Sequence, residues 1–290
     1  MAMVLPALLA AQTVKLTPPQ LEPGSPVLLE IASSDCAAID GTLNGVPVRF
    51  FRAANHHWYA LAGIDVEAPV APVKLALTLR LAAGGSRELT EQIPLIPANY
   101  RTATITVAPK FVAPPPEAQK RIEEERALKA KLFAEANARI GDEPAWNGDF
   151  RPPVHSQPTD SFGTRRIDKS TADPSQQIST IHKGMDFRAK SGTPVHAANA
   201  GTVILAGHLY YEGNCVIIDH GLGLYTLYMH LSKFSVHAGE QVKTGQLLGL
   251  SGATGRVTGP HLHWAVRYQD AYIDPGKLLS LTLPVHANAP

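Results

Sequence analysis

Thr254-Gly-Arg-Val-Thr-Gly-Pro-His261-Leu262-His263-Trp264-Ala265-Val266-Arg267-Tyr268 is a turn rich in glycine that runs straight into an alternating strand. Successive side chains of an extended chain leave on opposite faces. His261 and His263 therefore share one face, and Leu262, Trp264 and Val266 share the other. Two imidazoles point into one cleft while the opposite face is apolar. The same alternation in Leu224-Tyr-Thr-Leu227-Tyr228-Met229-His230 places Tyr228 and His230 on one face and Leu227 and Met229 on the other, so His230 reaches that cleft from a neighbouring strand.

Outward from these strands, His182-Lys-Gly-Met-Asp186 adds a histidine and a carboxylate. A catalytic zinc takes three N, S or O side chains and leaves one position open, and two histidines with one aspartate meet that count. The helical His-Glu-x-x-His signature is absent, so strands and turns must deliver the ligands. Taken singly, His-x-x-x-Asp or His-x-His is more often structural than metal-binding; together and in this order they point to a metal. On chemistry alone His261 and His263 are equally good ligands. His196, His208, His220 and His237 have no such companions and read as structural, with His220 ending a strand in a turn. Gly249-Leu-Ser251-Gly-Ala253 ends in alanine where a serine-hydrolase elbow needs glycine. Gly221-Leu-Gly223 meets Thr226 in place of the third glycine of a dinucleotide fingerprint.

The remainder of the C-terminal half is β-rich: Gly201–Gly207, Asn214–Ile218 and Gln246–Leu250 are buried-strand runs between glycine-bearing turns. From about Val14 to Val107 short runs are split by Pro, Gly and Asn: Val27–Ile31, Val48–Phe51, Trp58–Leu61, Val73–Leu79 and Thr102–Val107. That spacing predicts a small immunoglobulin-like β-sandwich, with a hairpin turn at Asn44-Gly45. His56-His57 reads as an exposed loop pair rather than a metal pair. Pro114-Pro-Pro116 closes the module, and Glu117–Asn137 is strongly helix-forming. Ile122, Leu128, Leu132 and Ala136 are expected to form its apolar stripe, packed on a domain or, as the sharper alternative, on a partner helix.

The chain has 290 residues, 44% hydrophobic and 18% charged, enough for two cores. A formal net charge of +1 argues neither for a nucleic-acid partner nor for an acidic membrane surface, and no nucleic-acid partner is expected. No eighteen-residue apolar run marks a membrane span. Cys36 and Cys215 stand far apart and read as two buried free thiols. Residues 1–12 combine an apolar stretch with small residues but lack a positive leading region, and read either as a signal-peptide remnant or as a disordered tail.

His182-Lys-Gly-Met-Asp186, Tyr228-Met-His230-Leu-Ser232 and Thr254–Trp264 together resemble the motif set of the LytM/lysostaphin-type zinc metallopeptidases. The similarity runs from about Trp146 to about Leu279 and includes Ser161-Phe-Gly-Thr-Arg165, Gly192-Thr-Pro-Val195 and Ile218-Asp-His-Gly221. The resemblance implies an antiparallel β-sheet peptidase fold, Zn2+ on His182, Asp186 and His263, and unligated catalytic roles for His230 and His261. It implies a zinc metalloendopeptidase that hydrolyses peptide cross-links or stem peptides of bacterial peptidoglycan, periplasmic or secreted. A noncatalytic wall-binding or hydrolase-activating module and a secreted protease of broader range are the alternatives. Tyr59–Val66 resembles the N-terminal immunoglobulin-like module of some periplasmic members. The expected organisation is 13–110 sandwich, 111–140 Pro-rich and helical linker, and 141–285 peptidase, the sandwich either positioning the enzyme on the wall or covering the groove. Tyr210 and Tyr211 are expected to line the groove or pack in the core. Arg165 is expected to meet a substrate carboxylate or form a structural salt bridge.

Overall fold

The computed structural model describes residues 13–139, 141 and 143–285. The stretch read as a signal remnant, residues 1–12, lies outside them. No helix among the described residues is long and apolar enough to cross a membrane.

Eight strands open the chain: β1 (Lys15–Thr17), β2 (Pro26–Ile31), β3 (Cys36–Leu43), β4 (Val46–Arg49), β5 (Phe51–Arg52), β6 (Trp58–Gly63), β7 (Val73–Leu81) and β8 (Ser86–Ile93). They pair antiparallel into two four-stranded sheets, ordered β1-β2-β6-β5 and β4-β3-β7-β8. Val73, Leu75, Leu77 and Leu79 of β7 are buried and alternate with more exposed partners, the period of a half-buried strand. Asn44 and Gly45 both take positive φ, 51° and 81°, between β3 and β4, as a two-residue hairpin turn requires. His57 Nδ1 hydrogen-bonds Glu30 Oε1 at 2.8 Å and makes no metal cluster with His56 among the described residues.

The next strand departs from expectation. β9 (Thr102–Val107) does not join the sandwich; it runs parallel to β11 (Arg165–Ser170), which also pairs with β12 (Gln177–Ile181). Its Thr/Ala/Thr/Ile/Thr/Val alternation marks a strand with one half-buried face, and a period of two does not say which sheet it joins.

Two helices follow, α1 (Pro109–Val112) and α2 (Pro116–Ala138), the latter with proline in its first turn. The buried face of α2 is Ala118, Phe133 and Ala136, while Leu128 is 42% exposed. At about 100° per residue Leu128 falls roughly 140° round the helix from Phe133 and roughly 80° from Ala136, outside the face that Ala118, Phe133 and Ala136 share. That side packs on Cys215, Ile217, Tyr225 and Leu227, with the Phe133 and Tyr225 rings edge to face at 4.9 Å. Glu125 accepts from the Tyr210 N–H at 2.7 Å, and Lys129 pairs with Glu212. The segment expected as a linker is therefore bonded along its length to the C-terminal half.

That half adds β10 (Pro158–Asp160), β13 (Met185–Phe187), β14 (Pro194–His196), β15 (Gly201–Leu209), β16 (Gly213–Asp219), β17 (Leu224–Phe234), β18 (Gln241–Val242), β19 (Leu247–Ser251), β20 (Leu262–Tyr268), β21 (Ala271–Ile273) and α3 (Pro275–Ser280). Its ten-stranded antiparallel sheet has the spine β10-β13-β20-β17-β16-β15-β18, with β14, β19 and β21 attached. The fold is mainly β, as expected. Trp264, Tyr228 and Leu262 lie in the same apolar core as Phe51, Leu61 and Leu75 of the N-terminal sheets. Phe51 meets Trp146 edge to face at 5.9 Å, and Asp65 accepts from the Tyr272 N–H at 2.8 Å. Cys36 and Cys215 are both free and buried.

Candidate metal centre

β20 and β13 are adjacent and antiparallel, with Asp186 opposite His263. On β20, Trp264 and Leu262 go to the core, so His263 and His261 face the other way, as the alternation requires. Gly184 enables the approach of the two strands: a Cβ there would overlap the His263 ring and come within 2.7 Å of the Trp264 carbonyl oxygen.

Three donor atoms converge. His182 Nε2 lies 3.1 Å from Asp186 Oδ1 and 2.9 Å from His263 Nδ1, and His263 Nδ1 lies 2.8 Å from Asp186 Oδ1. His182 and Asp186 are buried, 3% and 7% exposed. His182 Nδ1 is hydrogen-bonded to the Ser161 carbonyl at 3.0 Å, which aims Nε2 at the carboxylate. Ligand atoms this close need positive charge between them, either a shared proton or a cation. Two nitrogens and one oxygen fit zinc and leave its fourth position for water or substrate. Burial alone would raise the Asp186 carboxyl, but hydrogen bonds and charge from His182 and His263 hold it far below the ordinary carboxylate range. Burial pushes His263 down to about 4 against the pull of Asp186.

His230 and His261 flank this triad, their ring centroids 4.9 Å apart. His261 Nδ1 hydrogen-bonds the Gly259 carbonyl at 2.8 Å, and its Nε2 lies 3.6 Å from Asp186 Oδ1. His230 arrives by a route that simple alternation does not give. Tyr228 faces the core with Trp264, and Met229 lies opposite His263, so regular alternation would turn residue 230 into the core. Instead β17 carries an extra residue relative to β16, the pairing jumping from Val216↔Tyr228 to Asn214↔Leu231, and His230 takes φ +64°. This bulge puts Met229 and His230 together on the cleft wall. Such a left-handed non-glycine residue costs about 1–3 kcal/mol. His230 Nδ1 hydrogen-bonds the Thr254 carbonyl at 2.8 Å, leaving Nε2 as the lone-pair atom of the neutral ring. Burial, with the charges of His263 and His261, pushes its pKa down to about 3.

The cleft has a volume of about 810 Å³. One wall is Ala103, Ile105 and Val107 of β9, and Tyr211 lies on its lining. Tyr210 does not line it; its ring packs on Phe111 and its hydroxyl donates to the Lys110 carbonyl at 2.8 Å. Arg165 is also outside the lining and exposed, its N–H donating to the Arg101 carbonyl. Its neighbour Arg166 is the arginine that the strand turns inward, donating to Asp186 Oδ2 at 2.9 Å. Alternation along β11, where Asp168 and Ser170 are buried, is the signal that separates the two arginines. His220, His208 and His237 are engaged elsewhere, with Ala200 and Thr226, Asn214, and Glu240 respectively.

The model of peptidase family M23 matches residues 180–275. A crystal structure of a Pseudomonas aeruginosa chain assigned to peptidase M23 superposes with a TM-score of 0.67 at 30% identity, over 90% of this chain and 95% of that one. The peptidoglycan DD-endopeptidase ShyA of Vibrio cholerae is 41% identical over 109 residues, 38% of this chain and 25% of that protein. The DD-carboxypeptidase/endopeptidase Mpg of Neisseria meningitidis is 37% identical over 136 residues, 47% of this chain and 29% of that protein. This chain thus spans little more than a quarter of these curated relatives. It belongs to peptidase family M23.

Proposed function

We propose that this chain is a zinc-dependent endopeptidase that hydrolyses peptide cross-links or stem peptides of bacterial peptidoglycan, in the periplasm or outside the cell. The observation that carries the proposal is the convergence of His182 Nε2, Asp186 Oδ1 and His263 Nδ1 in a cleft that His230 and His261 also line. The names of the curated relatives supply the substrate class.

His182, Asp186 and His263 hold the metal. When bound, zinc supplies Lewis acidity, which polarises a peptide carbonyl and makes water acidic near neutrality. Ser161 fixes the His182 ring through Nδ1, and Arg166 occupies Asp186 Oδ2, so each ligand presents one defined atom. His230 and His261 each have Nδ1 tied to a carbonyl, so each offers Nε2 to the cleft. Between them they take the proton of the attacking water, return it to the leaving amine and hydrogen-bond the developing oxyanion. Ala103, Ile105 and Val107 of β9 offer the substrate chain an apolar wall.

The experiment is metal content and wall hydrolysis in two variants. His263→Ala is expected to purify without zinc, and His261→Ala to retain zinc yet lose most activity, roughly a hundredfold or more. A zinc-free His261→Ala protein, or one with full activity, overturns the division of roles. Wild-type protein that releases no amines from purified wall, with or without chelator, overturns the function.

A further inference from the structure

Arg256 stands two residues beyond Thr254, the residue whose carbonyl fixes His230, in the loop that leads to His261. Its guanidinium is held from two sides. Nη1 donates to Asp168 Oδ2 at 3.0 Å, a carboxylate on β11 with no exposed surface. The Tyr211 ring packs against the guanidinium carbon at 5.2 Å from its centroid. The backbone completes the clamp, since the Arg256 N–H donates to the Tyr211 carbonyl at 2.8 Å. The side chain remains 26% exposed and lines the same cleft as the histidines.

The other cations on that lining are turned to partners of their own. Lys183 pairs with Glu67, Arg166 donates to Asp186 Oδ2, and Arg101 donates to Thr164 Oγ1 at 3.2 Å. Among the described residues the Arg256 side chain donates only through Nη1, to Asp168 Oδ2, which leaves Nε and Nη2 for a ligand. A planar fork of donors, stacked on an aromatic ring and held from behind by a carboxylate, is suited to bidentate capture of a second carboxylate. Its rotamer entropy has already been lost on folding, which favours binding.

We infer that Arg256 anchors a free carboxylate of the peptide substrate on the cleft wall, with Tyr211 supporting the guanidinium and Asp168 positioning it. Asp168 is a positioning residue because it acts through Arg256. That the ligand is a peptide rests on the function proposed above, whereas the carboxylate specificity rests on the arginine.

The test measures binding of a stem pentapeptide ending in D-Ala-D-Ala, and of analogues in which each carboxylate in turn is a carboxamide, by calorimetry. The protein is the full chain carrying His261→Ala in zinc-containing buffer. Amidating one of the carboxylates is expected to weaken binding roughly tenfold to a hundredfold, the worth of a charge-assisted hydrogen bond. Adding Arg256→Gln together with Asp168→Asn removes both charges, so no buried carboxylate is stranded, and is expected to reduce that preference to about twofold or less. A preference that survives this pair of changes assigns the carboxylate to the metal or another cation and overturns the inference. Indifference of the parent protein to every amidation, or absence of binding, also overturns it. Turnover of the same peptides by the wild-type chain is read separately: no cleavage with an intact carboxylate preference would sink the peptidase proposal and leave the anchor standing.

Discussion

Arg166 shows how a single side chain sets the chemistry of a neighbour it never shares with substrate. By donating to Asp186 Oδ2 at 2.9 Å it leaves Oδ1 as the oxygen that faces His182 and His263. Loss of such a supporting bond typically costs ten- to a hundredfold in metal affinity. Arg166→Gln is expected to weaken zinc binding by about that factor while the fold persists, measured by competition with a chromophoric chelator; unchanged affinity would show that Asp186 is oriented by its strand alone. His220 gives a residue-scale prediction away from the metal. It is fully buried between the Ala200 carbonyl and Thr226 Oγ1, and burial pushes its pKa from 6.5 down to about 4. The unfolded chain takes up a proton at His220 below about pH 6.5, and the folded chain does so only near pH 4. Its contribution is thus complete above pH 6.5 and is lost as the pH falls through that window, on the order of 3 kcal/mol in all. Urea midpoints measured from pH 7 to pH 4 should fall less steeply in His220→Gln than in wild type. Parallel curves would refute the assignment.

At the scale of elements, α2 makes its hold through few side chains. Phe133 is 4% exposed and lies against Tyr225, with the Arg267 guanidinium 3.8 Å from its ring centroid, whereas Leu128 faces solvent. Phe133→Ala is expected to cost about 3–5 kcal/mol and Leu128→Ala less than about 0.5 kcal/mol, by chemical denaturation. Equal costs would mean that the helix docks by another face. The same elements show what was legible in the sequence. Period-two alternation in β20, and Asn44-Gly45 between β3 and β4, gave a face and a turn correctly because the information is local. The His182, Asp186, His230, His261 and His263 set was legible as motifs. The bulge that brings His230 over was not, since a left-handed histidine carries no sequence mark and alternation pointed it to the side of Tyr228. Arg166 was passed over for Arg165 because adjacent arginines differ only in strand parity, which becomes visible once β11 has a partner. The destination of β9 depends on a pairing across more than fifty residues, beyond any window of local pattern.

At the scale of the molecule, two sets of sheets share one apolar core, closed by Phe51 on Trp146 and by the Asp65 and Tyr272 hydrogen bond. A continuous interior couples the unfolding of its parts. A single calorimetric transition is expected for the whole chain, and two well-separated ones would show that the halves are independent.

The parallel seam between β9 and β11 has a consequence for how such proteins can be recombined. The prolines at 114–116 look like the natural point at which to exchange the N-terminal module for another. A join there would discard Ala103, Ile105 and Val107, and the incoming module would inherit a peptidase missing one side of its own cleft. The inheritable unit begins before Thr102: the strand that trails the sandwich in the chain belongs by its bonds to the enzyme, and a shuffled gene that keeps the cleft must carry it along.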